Sequence, residues 1–227
     1  MINILPGGIG VDAATLQVSF STLDTTSMQG AGPSGTFSNN NRTLTVPSGA
    51  GNYQGVMGTL SHTSGKYYFE VTVNALGNML TDNTTYSGIG IYQKPSWTGQ
   101  GGLVGYDQYS ASLAVTPAAT TWKAISNYSG TATFTTPVPA SGQVIGVAVS
   151  FNTGTGSVDI WFRLQANWLN AGTPQTAFPV SPDFVSLWAN SIATVPGITV
   201  PNAAQYTINT GNTAFVNAPP SGYVAWG

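Results

Sequence analysis

The chain has 227 residues and a net charge of −2, from five Lys/Arg and seven Asp/Glu, with one histidine and no cysteine. Charged residues make up only 5%, against about 25% in an ordinary soluble domain, so Asn, Thr, Ser, Gln and Gly must cover the surface. The composition excludes disulfides, thiolate zinc sites and cysteine nucleophiles, offers no basic stripe to neutralise nucleic-acid phosphates, and at 41% hydrophobic content is too apolar for disorder.

Residues 1–35, rich in Gly, Thr and Ser, are expected to form an N-terminal arm or an extra edge strand ahead of a β-sandwich at 36–227. One short strand is predicted there, Thr15–Phe20. GAGPSG at 30–35 matches Gly-x-Gly-x-x-Gly in form only, because no strand leads in and no apolar helix follows; it reads as a turn.

Short β-rich runs separated by Gly, Pro, Asn and Ser then recur along the chain, the pattern of an all-β sandwich. Strands are predicted at Thr43–Val46, Tyr67–Val73, Ser87–Tyr92, Thr121–Ser126, Val144–Phe151, Val158–Leu164, Phe184–Ala189, Gln205–Asn209 and Tyr223–Trp226. Residues 171–183 and 194–204, which contain Pro and Thr, read as loops. No apolar stretch approaches the roughly 20 residues of a spanning helix, so membrane insertion is not expected.

Three strands can be read by face. Tyr67, Phe69, Val71 and Val73 alternate with Tyr68, Glu70 and Thr72. Ile145, Val147, Val149 and Phe151 are bulky, whereas Val144, Gly146, Ala148 and Ser150 are small, which lets another segment approach closely. The loop NTGTG at 152–156 predicts an antiparallel hairpin joining 144–151 to 158–164. In SVDIWFRLQANW (157–168) that places Val158, Ile160, Phe162 and Leu164 in the core and Asp159, Trp161 and Arg163 on the other face. Asp159 and Arg163 are then about 13 Å apart along the strand; each is expected to pair across to a neighbouring strand, with Glu70 a candidate partner for Arg163.

A catalytic reading needs converging titratable groups. His62, in the polar turn LSHTSGK, is the sole imidazole and has no Gly-x-Ser-x-Gly elbow beside it. The carboxylates are Asp12, Asp24, Glu70, Asp82, Asp107, Asp159 and Asp183, without a clustered acidic motif. A glycan hydrolase, which needs two carboxylates about 5–10 Å apart, is the least favoured reading. No calcium-loop pattern is present, and no metal or cofactor is expected. Asn41, Asn83 and Asn127 open formal glycosylation sequons. Trp97, Tyr106, Tyr109, Trp122 and Tyr128 are candidate binding aromatics that could stack on a sugar or anchor a protein partner; the alternative is that they cover the ends of the sandwich.

Six segments, in order, resemble the SPRY domain, particularly its bacteriophage and prophage version: FSNNNRTLTV (37–46), SGKYYFEVTV (64–73), GIGIY (88–92), SGQVIGVAVSFNTGTGSVDIWFRLQANW (141–168), FPVSPDFVSLWA (178–189) and YTINTGNTAFVNAPPSGYVAW (206–226). Tyr68, Phe69, Glu70, Gly146, Trp161, Phe162, Arg163 and Trp168 carry the signature. The chain departs from the pattern at Gln143, at Gln165-Ala166 where Asn-Gly is common, at Thr210, and through 93–140. The resemblance implies a concanavalin-like sandwich of two antiparallel sheets and a non-catalytic interaction module. It further implies a place on a virion surface, as a head-decoration, fibre or tail component. The implied partners are other virion proteins, sister copies in a homo-oligomer, or a host surface glycan or protein, the last reading being a lectin-like adhesin.

Overall fold

Alternation of side-chain size builds the fold outward from the hairpin at 144–164. The computed structural model describes residues 19–32, 34–49, 53–77, 87–97, 103–105, 107–115, 121–126, 129–137, 140–170, 173–179, 181–184 and 187–227. Its strands are β1 (Gln29–Ala31), β2 (Thr36–Ser38), β3 (Thr43–Thr45), β4 (Tyr53–Met57), β5 (Gly65–Ala75), β6 (Ser87–Gln93), β7 (Ser110–Val115) and β8 (Thr121–Ser126). They continue with β9 (Ser129–Pro137), β10 (Val144–Asn152), β11 (Ser157–Leu164), β12 (Asn167–Asn170), β13 (Thr173–Gln175), β14 (Thr194–Pro201), β15 (Gln205–Asn209) and β16 (Val224–Ala225).

Two sheets face each other. One has seven strands in the order β1-β4-β14-β6-β7-β8-β9; the other has nine, ordered β13-β12-β11-β10-β5-β15-β3-β2, with β16 added beside β5. All pairings between these strands are antiparallel except β16 on β5, which is parallel. The hairpin forms as its loop dictates: Asn152 pairs with Ser157, and Asn152 Oδ1 accepts from the N–H groups of Gly154 at 2.9 Å and Thr155 at 3.3 Å.

The bulky faces meet in one core. Phe69, Val71 and Val73 of β5, Ile145, Val147, Val149 and Phe151 of β10, and Val158, Ile160, Phe162 and Leu164 of β11 pack against Val56, Ile89, Ile91, Leu113, Ile198 and Val200 of the facing sheet. Each such side chain contributes on the order of 1.5–3 kcal/mol when buried. Trp226 is fully buried at one end of this core, where its indole N–H donates to the Leu60 carbonyl at 3.0 Å.

Several sequence expectations are corrected. The segment 194–204, read as a loop, contains β14, buried throughout and third in the seven-stranded sheet, between β4 and β6. Residues 171–183, also read as loop, include β13. Phe184–Ala189 is not a continuous strand: Phe184 and Ala189 make isolated bridges to Ile160 and Ser157, and 185–186 lie outside the described residues. The terminal strand shrinks to Val224–Ala225. Of Thr15–Phe20, residues 15–18 lie outside the described residues, and Ser19 and Phe20 belong to no strand. Further along, Leu23 is buried in the core and β1 forms an edge of the seven-stranded sheet on β4.

Candidate functional site

The outer face of the nine-stranded sheet carries three rungs of side chains across β5, β10 and β11. Register aligns Lys66, Ser150 and Asp159 in the first rung, Tyr68, Ala148 and Trp161 in the second, and Glu70, Gly146 and Arg163 in the third. The bulky-in, small-out alternation that fills the core thus gathers Lys66, Glu70, Asp159 and Arg163 on one patch of a chain that holds only five Lys/Arg and seven Asp/Glu in all.

The third rung is closed by the segment 213–223. Glu70, 1% exposed, accepts from the backbone N–H groups of Val216 at 2.8 Å and Asn217 at 2.9 Å, from the Asn217 side-chain amide at 3.1 Å, and from the Tyr68 hydroxyl at 3.0 Å. Arg163 donates to the carbonyls of Gln165 at 2.9 Å and Ala218 at 3.2 Å, and its guanidinium stacks 4.9 Å from the Trp168 ring centre. The expected pairing of Glu70 with Arg163 is therefore replaced by a bridge: both reach Asn217, Arg163 through a long 3.5 Å contact to Oδ1. Burial, then the charge of Glu70, pushes the Tyr68 hydroxyl above its ordinary pKa, with Arg163 opposing, so it remains a donor. Gly146 makes the rung possible: a Cβ there would lie 2.2 Å from the Tyr68 hydroxyl and 2.6 Å from Arg163 Cγ.

The first rung stays open and floors a groove. Lys66, Ser150, Asn152, Asp159, Trp161, Phe178, Pro179, Pro182, Ser221 and Tyr223 enclose about 410 Å³. Its apolar side is a set of mutually packed rings: Phe178 lies 5.3 Å from Trp161, 4.8 Å from Trp168 and 5.5 Å from Tyr223. Phe178 is one of the exposed large hydrophobic residues. Lys66 Nζ sits 5.8 Å above the Tyr223 ring. Burial first, then the negative charge of Asp159, raises the Tyr223 pKa and keeps that hydroxyl protonated.

The candidate binding aromatics are not brought together. Trp97 is 3% exposed on the outer face of the other sheet, clustered with Met57, Tyr92, Val104 and Val195, and its indole N–H donates to the Ser27 carbonyl. Tyr109 packs against the same cluster. Trp122 lies on β8, but its side chain, like Tyr106 and Tyr128, falls outside the described residues. Of the signature residues, Phe69 and Phe162 point into the core, while Tyr68, Trp161 and Trp168 form an aromatic layer with Phe215 and Tyr223 on the outer face.

Sequence reasoning did not single out Lys66, Ser150, Asn152, Phe178 and Tyr223. The signal was present: the hairpin fixes Ser150 opposite Asp159, and the period of two places Lys66 on the face of Tyr68.

Among the described carboxylates, Asp24, Glu70, Asp107 and Asp183 each accept at least one backbone N–H, from Thr26, Val216 and Asn217, Tyr109, and Phe162 respectively. Asp12 and Asp82 lie outside the described residues. Asp159 is the carboxylate that lines the groove. His62 stacks on Tyr67 at 3.7 Å and its Nε2 lies 3.2 Å from the Trp226 carbonyl, a packing role at the end of the sandwich.

Solved structures similar to this one include SPRY domains. A human SPRY domain is similar over 81% of this chain and 100% of its own length, with a TM-score of 0.51 and 15% identity. The SPRY domain of human HERC1 gives 0.49 at 14% identity, covering 85% of this chain and 99% of that one. The TRIM65 PSpry domain gives 0.49 at 15% identity, covering 84% and 90%. No family model and no curated protein matches the chain. Identity at this level carries the fold: two antiparallel sheets in the SPRY arrangement.

Proposed function

We propose that this chain, built on the SPRY fold, is a non-catalytic interaction module on the surface of a bacteriophage particle. It contacts neighbouring head or tail proteins, or a component of the host surface, and does so in several copies. One observation carries the reading: the outer face of the nine-stranded sheet holds an open, aromatic-walled groove in which Asp159 is the one lining carboxylate. That is a lining suited to holding a partner; two carboxylates would be needed for glycoside hydrolysis.

Two further features support the particle surface. A coat with 5% charged residues has weak electrostatic repulsion and tolerates dense packing against neighbours. The ending YTINTGNTAFVNAPPSGYVAW resembles the phage-type SPRY ending, and its residues 216–218 are the ones that close over Glu70 and Arg163. Fold alone does not give function, so the test is direct. Purified protein is mixed with host cells and with particles lacking it. Saturable binding to particles identifies a decoration or tail component, and binding to cells identifies an adhesin. Binding to neither overturns the proposal.

A further inference from the structure

We propose that the groove over the first rung is a binding site for a neutral saccharide. This rests on the reading of the chain as a contact module and names the ligand class that the groove would take.

The lining divides into two halves with different chemistry. Phe178, Trp161 and Tyr223 supply ring surface. Asp159, Asn152, Ser150 and Ser221 supply a carboxylate, an amide and two hydroxyls. A sugar ring has the same division: a C–H face that packs on aromatic carbon, and hydroxyls that need both donors and acceptors. A pocket near 410 Å³ falls in the small-ligand range.

Three observations favour this class. Trp161 lines the groove, and its buried indole N–H has no hydrogen-bond partner among the described residues. A buried donor of this kind ordinarily has a partner, and a ligand oxygen would provide one, as it would for the Ser150 hydroxyl in the same lining. The Asn152 amide is held by its own loop through Oδ1, which leaves Nδ2 as a donor without a partner among the described residues. Lys66 and Asp159 flank Ser150 on opposite sides, roughly 10 Å apart at two strand spacings. An anionic ligand would meet Asp159 and a cationic one Lys66, so a neutral polyhydroxylated ligand suffers least.

A peptide is less well served. β10, beneath the groove, spends its backbone hydrogen bonds on β5 and β11 over its whole length, so an added strand has no edge to pair with there. Recognition must come from side chains, and most of the polar ones present are hydroxyl, amide and carboxylate.

The test uses the full chain on a printed array of neutral gluco-, galacto-, manno- and N-acetylglucosamine oligosaccharides, followed by calorimetric titration of the best series. Saturable binding is expected, accompanied by a change in tryptophan fluorescence because Trp161 borders the groove. Phe178→Ala and Asp159→Asn should each weaken it at least tenfold, while Lys94→Ala, in the turn that follows β6 of the other sheet, should not. Variants are checked by circular dichroism; if Asp159→Asn fails to fold, Ser150→Ala and Asn152→Ala carry the same test. A blank array, or folded Phe178→Ala and Asp159→Asn variants that bind like the parent, overturns the assignment. So does a displayed peptide that binds and is lost with Phe178→Ala while every saccharide fails. In any of these cases, continued binding to particles or cells leaves the contact-module reading standing.

Discussion

Glu70 and Arg163 stand on either side of Gly146, and both are tied to the C-terminal segment, Glu70 to Val216 and Asn217 and Arg163 to Asn217 and Ala218. A carboxylate that accepts three N–H groups from that segment is its chief anchor. Glu70→Ala leaves the Val216 and Asn217 backbone N–H groups without their acceptor, at a cost of about 3 kcal/mol. The thermal midpoint should fall, and limited proteolysis should cut first between 213 and 223. Cutting unchanged from the parent would show that Glu70 is not the anchor.

Gly146→Ala should be destabilising although the change adds one methyl group. The new Cβ would sit 2.2 Å from the Tyr68 hydroxyl and within 2.7 Å of the Arg163 stem, and overpacking of this kind costs about 1–3 kcal/mol. Denaturant unfolding measures it directly. Ala148, in the neighbouring rung, already carries a methyl group, so the effect belongs to the third rung and not to β10 in general.

Gln165→Gly should stabilise the chain. The turn between β11 and β12 has two residues, Gln165 and Ala166, because Leu164 pairs with Asn167. Gln165 holds φ at 53°, a left-handed conformation that a side chain disfavours and glycine accepts. The gain expected is about 1 kcal/mol, read as a raised denaturation midpoint. The Arg163 hydrogen bond survives because it goes to the backbone carbonyl of residue 165.

His62 predicts a pH effect with a definite sign. Burial lowers its pKa below the ordinary 6.5, and the hydrogen bond to the Trp226 carbonyl opposes this more weakly. The folded state therefore prefers the neutral ring, while the unfolded chain takes up its proton near pH 6.5. Stability from this group is fully present above that pH and is lost as pH falls below it. Unfolding measured from pH 7.5 to 5 should show a decline that His62→Gln reduces. An identical slope in both proteins would remove His62 from the account.

The core strands were legible because size and period agree. β10 and β11 alternate bulky with small or polar residues and flank a Gly-containing loop, so strand, register and inner face follow together. The same alternation placed Asp159, Trp161 and Arg163 on one outer face. β14 was illegible for the opposite reason: Pro196, Gly197 and Pro201 read as strand breakers. The structure resolves this locally. The Pro196 carbonyl accepts from Gly58, just past the end of β4, so the side that lacks an N–H faces a point where the β4 ladder has already stopped. The groove was hidden because Phe178 and Tyr223 lie in irregular segments that return to the sheet separately, the first held on β11 through Asp183 and Phe184 and the second following the tail that docks at Glu70. Both are long-range events, and no local period reports them.

The place of β14 and β15 sets an order of events at the ribosome. β14 is the strand that joins β4 to β6, and β15 the one that joins β3 to β5. Until residues 194–209 have emerged, the seven-stranded sheet is two separate pieces, and β2 and β3 have no link to the hairpin. At roughly 5–20 residues per second, the first strands must wait many seconds with unpaired edges. Closure of both sheets is a late, nearly simultaneous step, so truncated translation products should be strongly aggregation-prone instead of partly folded.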